Sequence, residues 1–220
     1  MKIKAMVFDL DGTLLDTEPI AIEATNRVAP LFGIEISMEK SYEFLGISSD
    51  VVKKYFLDNF GSDFDYEGYR RKKIDYQKDV INRDGIKFKK GAKKILEFAK
   101  DNNIKCAVAT STGRERADFL IKKAKIGGYF SAIVCGSEVE KGKPDPDVFI
   151  EAVRRMGVST DESIGFEDSR NGIISSHRAG LLSILIPDLL KPDNDSLSAA
   201  DHVFKDMAEA LSYVRCIYEP

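Results

Sequence analysis

The chain is most tightly limited by a repeated pattern: a short aliphatic run, a polar tip, then a stretch with helical spacing. The first run, residues 2–8, ends at Asp9, Asp11 and the Gly12-Thr13 turn, as a buried strand ends when it reaches a polar turn. Further runs of this kind fall at 104–109, 132–135, 163–166 and 182–186. Helical spacing is found at 115–125, 147–156 and 169–179, and again after the Lys90-Gly91 turn, where Ile95, Leu96, Phe98 and Ala99 recur. Strands alternating with helices predict a parallel α/β sheet.

The alternation lapses once. After the first strand, Ile20, Ala24, Val28 and Leu31 share one helical face, and Gly33 is placed to end that helix. Val52, Tyr55, Phe56 and Phe60 repeat the spacing, as do Tyr66, Tyr69 and Ile74, with no strand between them. The organisation predicted is an α/β core domain from residues 1–15 and 87–220, with a helical domain inserted at 16–86.

Composition excludes several classes of function. The 33 Lys+Arg against 36 Asp+Glu leave a net charge of −3, so there is no global excess to grip a nucleic-acid backbone. Apolar runs such as 181–186, which Ser183 interrupts, fall far short of the roughly 20 residues that span a bilayer. The apolar stretch at 5–8 meets Asp9 before it reaches the length of a secretion signal. Cys106, Cys135 and Cys216 show neither metal-ligand spacing nor a disulfide framework. They read as small packing residues of a cytoplasmic protein.

In an open parallel sheet the carboxyl ends of the strands share one edge, so residues distant in sequence meet there. The tips supply Asp9 and Asp11, then Thr110 and Ser111, the segment after the third strand Lys143, and the fourth tip Glu167 and Asp168. Each has an ordinary explanation. Two acids can end an exposed strand, Thr110 or Ser111 and Asp168 or Ser169 can cap the helices that follow them, and a lone lysine is usually solvated. Taken together, carboxylates, hydroxyls and one ammonium suit a hydrated divalent cation and a phosphate group. A nucleotide P-loop does not fit, because Gly136 and Gly142 are too far apart and Pro144 stands where Ser or Thr is needed.

In order, Asp9-Leu10-Asp11-Gly12-Thr13, Thr110-Ser111, Lys143-Pro144 and Glu167-Asp168-Ser169 resemble the four motifs of the haloacid dehalogenase-like superfamily. The insertion after the first motif resembles the small cap of its β-phosphoglucomutase-like and sugar-phosphatase branch. The resemblance implies a Rossmann-like parallel sheet core with an inserted, mobile helical cap, and Mg²⁺ as cofactor. It makes Asp9 the nucleophile and Asp11 the acid and base. Thr110, Ser111 and Lys143 become phosphate ligands, and Asp9, Asp168 and the Asp11 backbone carbonyl become metal ligands. Glu167 would reach the metal directly or through water.

The superfamily also hosts mutases, phosphonatases and dehalogenases. An acid at Asp11 argues against the last two, which lack it. The mutases carry a cap histidine where this sequence places Ala21 and a cap arginine where it places Ser49. Neither replacement supplies the missing charge. The expectation is therefore a phosphatase acting on a small phosphorylated metabolite, a sugar phosphate first. The alternatives are a phosphosugar mutase and a non-catalytic phosphometabolite-binding regulator. Glu18 either faces the leaving group or simply favours a helix N-terminus. Lys87, Lys89, Lys90, Arg114 and Arg116 either attract the substrate or belong to a solvated surface. The sequence does not decide oligomeric state.

Overall fold

The structure is a computed structural model in which residues 2–47 and 49–218 are described. After β1 (Ala5–Phe8) come four helices, α1 (Glu18–Val28), α2 (Met38–Glu43), α3 (Ser49–Phe60) and α4 (Tyr66–Asp84). Alternation then resumes with α5 (Ala92–Asp101), β2 (Lys105–Thr110), α6 (Arg114–Ala124), β3 (Phe130–Cys135) and α7 (Asp147–Met156). The chain continues through β4 (Ser163–Glu167), α8 (Arg170–Arg178), β5 (Leu182–Leu185), α9 (Asn194–Ala199), β6 (His202–Val203) and α10 (Met207–Ile217). It divides into two compact units, Met1–Asp16 with Lys87–Pro220, and Thr17–Ile86.

The first unit is a Rossmann-like α/β fold. Its sheet has the order β3-β2-β1-β4-β5-β6, and every pairing is parallel. Strand β1 lies between β2 and β4, with Phe8 opposite Val108 on one side and Phe166 on the other. All four of its residues are buried, which is why the run is continuously apolar rather than alternating. The rings of Phe8 and Phe166 stack at 4.8 Å, locking β1 to β4 just below their tips. From β1 the chain builds outward to β2 and β3, then returns to add β4, β5 and β6 on the opposite side. Crossovers therefore depart in opposite directions beside β1, and a crevice opens at the carboxyl ends there.

The second unit is an aromatic helical cluster. Phe56 is fully buried, with the rings of Tyr69 at 4.6 Å and Tyr66 at 5.4 Å. Two of its helices start on side-chain caps: Ser37 accepts from the Lys40 amide at 3.1 Å and Asp65 from the Gly68 amide at 2.8 Å. Helix α1 stops at Val28 and passes into a 3₁₀ turn that ends on Gly33 at φ 71°. The tighter turn rotates Leu31 off the face its spacing assigned, and it is 66% exposed.

Two further expectations need correction. Cys216 is exposed, whereas Cys106 and Cys135 are buried packing residues as expected. The sheet also has a sixth strand, β6, which at two residues is too short to carry a periodic signal. Among the described residues no helix is long and apolar enough to cross a membrane.

Candidate active site

The site is built from the tips of β1, β2 and β4 and the segment after β3. Asp9 follows β1, and its amide donates to the Phe166 carbonyl at 3.0 Å, so the sheet hydrogen bonding continues to the nucleophile candidate. Lys143 is buried and reaches across to it. Its Nζ donates to Asp9 Oδ1 at 2.5 Å, to the Ala109 carbonyl at 2.9 Å and to Glu167 Oε1. Three strands are thus tied together by one ammonium.

Glu167 is fully buried and both of its oxygens are engaged. Oε2 accepts from the Asp168 amide at 3.2 Å, the Ser169 amide at 3.4 Å and the Ser169 hydroxyl at 3.1 Å. Ser169 in turn caps α8, accepting from the Gly172 amide at 3.1 Å. A Cβ at Gly172 would lie 2.0 Å from the Glu167 carboxyl carbon, so the start of α8 can press on Glu167 only because residue 172 has no side chain. The arrangement makes Glu167 the anchor of Lys143.

Asp168 accepts from the buried Thr13 hydroxyl at 2.7 Å. Gly12, at φ 79°, sits so close that a Cβ there would be 2.4 Å from Asp168 Oδ2. The left-handed conformation and the approach both demand glycine. Asp9, Glu167 and Asp168 each place a carboxylate oxygen within 4.8 Å of the others. Two of these three carboxylates share one ammonium, leaving an excess of negative charge among all-oxygen donors, a set that fits a hard divalent cation. Both oxygens of Glu167 are already engaged, which makes Asp9 and Asp168 the candidates to hold such a cation directly.

Burial governs the charges. It pushes the Asp9 carboxyl up to about 7, against the pull of Lys143 and with help from Glu167. Burial also disfavours the Lys143 ammonium, but Asp9 and Glu167 outweigh it and hold its pKa above the ordinary lysine value. A bound cation would act on Asp9 in the same direction as Lys143, favouring the ionised form.

Asp11 faces other partners. Its Oδ2 accepts from the Thr112 hydroxyl at 2.7 Å and its Oδ1 from Arg116 at 3.2 Å. Thr110 is buried, and its hydroxyl accepts from the Thr112 amide at 3.1 Å rather than capping α6. The helix instead starts at Gly113 without a side-chain cap. Ser111 is exposed on the same loop. Glu18 opens α1 in the other unit and is buried. Lys89 pairs with Asp188 and, at 3.4 Å, with Asp16, while Lys90 pairs with Asp206 at 2.7 Å. Thr112 as an Asp11 partner had no signal in sequence, and Thr13 was visible only as part of a turn.

A family model for haloacid dehalogenase-like hydrolases matches residues 6–186. The chain is 30% identical over 179 residues to the phosphorylated carbohydrates phosphatase of Thermotoga maritima, covering 81% of this chain and 82% of the relative. It is 29% identical over 188 residues to β-phosphoglucomutase of Bacillus subtilis, covering 83% and 82%. The crystal structure of CbbY from Rhodobacter sphaeroides in complex with phosphate superposes with a TM-score of 0.83 at 26% identity, over 94% of this chain and 96% of that one. Both the match and the strand-tip geometry lead to one assignment: this chain belongs to the haloacid dehalogenase-like hydrolases.

Proposed function

We propose that the chain is a Mg²⁺-dependent phosphatase that hydrolyses a small phosphorylated metabolite, a sugar phosphate in the first instance, through an aspartyl-phosphate on Asp9. The observation that carries this reading is the Asp9 carboxylate held 2.5 Å from a buried ammonium beside Asp168, at the crevice where the strand order reverses. Mg²⁺ would be held by Asp9, Asp168 and the Asp11 backbone carbonyl, and when bound it supplies positive charge against the phosphate oxygens.

The remaining chemistry belongs to the chain. Asp9 attacks phosphorus as the ester P–O bond breaks, and the departing oxygen takes the bond pair together with a proton from Asp11. Water then attacks the same phosphorus and gives its proton to Asp11, and the Asp9 carboxylate is released with phosphate. Lys143, with Thr110 and the Ser111 amide, offers positive charge and donors to the phosphoryl oxygens. Glu167 keeps Lys143 in place.

Hydrolysis is favoured over transfer between sugar hydroxyls because Ala21 and Ser49 offer neither the histidine nor the arginine of the mutases. The likeness to a β-phosphoglucomutase makes a phosphosugar mutase the second reading. A panel of phosphate esters, assayed with Mg²⁺ and with product identification, separates the two. Phosphate release that falls by about four orders of magnitude or more in Asp9→Asn is expected, as for loss of a nucleophile. Turnover by that variant at the wild-type rate rejects the nucleophile, and sugar isomer formation without net phosphate rejects the hydrolase.

A further inference from the structure

We propose that Arg116 is a positioning residue which, with Thr112, fixes the plane of the Asp11 carboxylate; the inference rests on the hydrolase reading above. Asp11 sits in a loop with its side chain 24% exposed, where a lone carboxylate would sample several orientations. Two donors arrive from a segment more than a hundred positions away in sequence. The Thr112 hydroxyl meets Oδ2 at 2.7 Å and the Arg116 guanidinium meets Oδ1 at 3.2 Å. With a donor on each oxygen, rotation is set as well as place, which a single contact cannot do.

The neighbouring arginine sharpens the assignment. Arg114 and Arg116 are indistinguishable in sequence, yet Arg114 turns away to Glu138, Asp118 and the Ile133 carbonyl. Only one of the two reaches the acid. Because Arg116 occupies the first turn of an eleven-residue helix, its backbone is fixed by α6 rather than by the loop it restrains. A proton donor must point at the leaving oxygen while the bond to phosphorus breaks, and small angular errors there cost rate without costing affinity.

Leaving-group dependence tests this. Aryl phosphates release a phenolate that needs little proton donation, whereas an unactivated sugar phosphate releases an alkoxide that needs it. kcat/KM, which includes the step that expels the leaving group, is measured with saturating Mg²⁺ for a sugar monophosphate and for nitrophenyl phosphate. Arg116→Met is expected to lower the sugar-phosphate value about tenfold and the aryl value less than about threefold, a fraction of the 10²–10⁴ that general acids contribute. Arg116→Lys keeps the charge but not the planar fork and should restore part of the difference. Equal losses for both esters, or a rise in KM alone, overturn the assignment. Thr112→Val reads the same carboxylate through its other oxygen and serves if Arg116→Met does not fold. Asp11→Asn is the control. If it too lacks leaving-group selectivity, the acid role of Asp11 fails; if it is selective while Arg116→Met and Thr112→Val are not, only the positioning role fails.

Discussion

At the centre of the sheet unit an ammonium and two carboxylates are closed off from solvent, whereas at the centre of the helical insertion the closed-off group is a phenyl ring. Lys143, Glu167 and Asp9 are each less than 10% exposed, and every charge has a partner within hydrogen-bond reach. Around Phe56 the neighbours are Phe44, Tyr55, Phe60, Phe64, Tyr66 and Tyr69. The contrast separates two ways of specifying structure. Buried charges demand particular partners at particular distances, because an uncompensated one is costly. Stacked and tilted rings gain from area and tolerate rearrangement. The proposed nucleophile, whose position has to be fixed, lies on the first kind of scaffold.

The strongest test removes the shared cation. Lys143→Met leaves Asp9 and Glu167 facing each other without compensation, and the expected loss is about 3–5 kcal/mol of stability, measured by denaturant unfolding in chelator, together with loss of turnover. Adding Glu167→Gln to that variant should return part of the stability, since one of the stranded charges is then gone. Unchanged stability in Lys143→Met, or no recovery in the double variant, would mean that the buried charges do not organise the sheet edge.

The matching test in the insertion is Phe56→Ala. A cavity at the hub of the ring cluster should cost about 3 kcal/mol, the low end for such a truncation, because surrounding rings can tilt into part of the space. Hydrogen exchange resolves where the loss falls. Protection should drop across α1, α3 and α4 and persist in β1, β2 and β4. Equal loss in both units would show that they do not differ in the way their centres suggest.

How much of this was legible beforehand follows the same division. The strand tips could be read because a buried parallel strand must be continuously apolar and must end at polar residues; Asp9 and Asp168 were visible for that reason, and Lys143 through the Gly142 and Pro144 that flank it in a turn. The limits of α7 at Asp147 and Met156 matched the spacing because its apolar face is wide and regular. Glu167 was legible as an acid near a metal but not as the anchor of Lys143, because that contact depends on Gly172 letting α8 approach. Thr112 and Arg116 could not be assigned to Asp11, since nothing local in sequence encodes a contact across the sheet edge. Leu31 was misplaced because the change from α to 3₁₀ turn, set by Pro30 and Gly33, alters the period partway along an apparent face.

The mildest substitution bears on a polar anomaly of the insertion. The Tyr69 hydroxyl is buried, with no partner at hydrogen-bond distance among the described residues; burial pushes its phenol up to about 12, while the nearby Thr25 hydroxyl pulls the other way. The sheet unit also buries a polar atom without a partner among the described residues, Asp188 Oδ2, but there the other oxygen of the same carboxylate is paired with Lys89. In a ring cluster the hydroxyl contributes only its desolvation cost, while the ring supplies the packing against Phe56 at 4.6 Å. Tyr69→Phe should therefore leave stability unchanged or raise it by up to about 1 kcal/mol, since only a long approach to Thr25 is lost and a buried polar atom without a well-formed bond is removed. Thermal melting of the two proteins side by side is sufficient to see it. A destabilisation of about 1 kcal/mol or more would reveal a polar contact that holds this cluster, and the insertion would then resemble the sheet unit more closely than its rings imply.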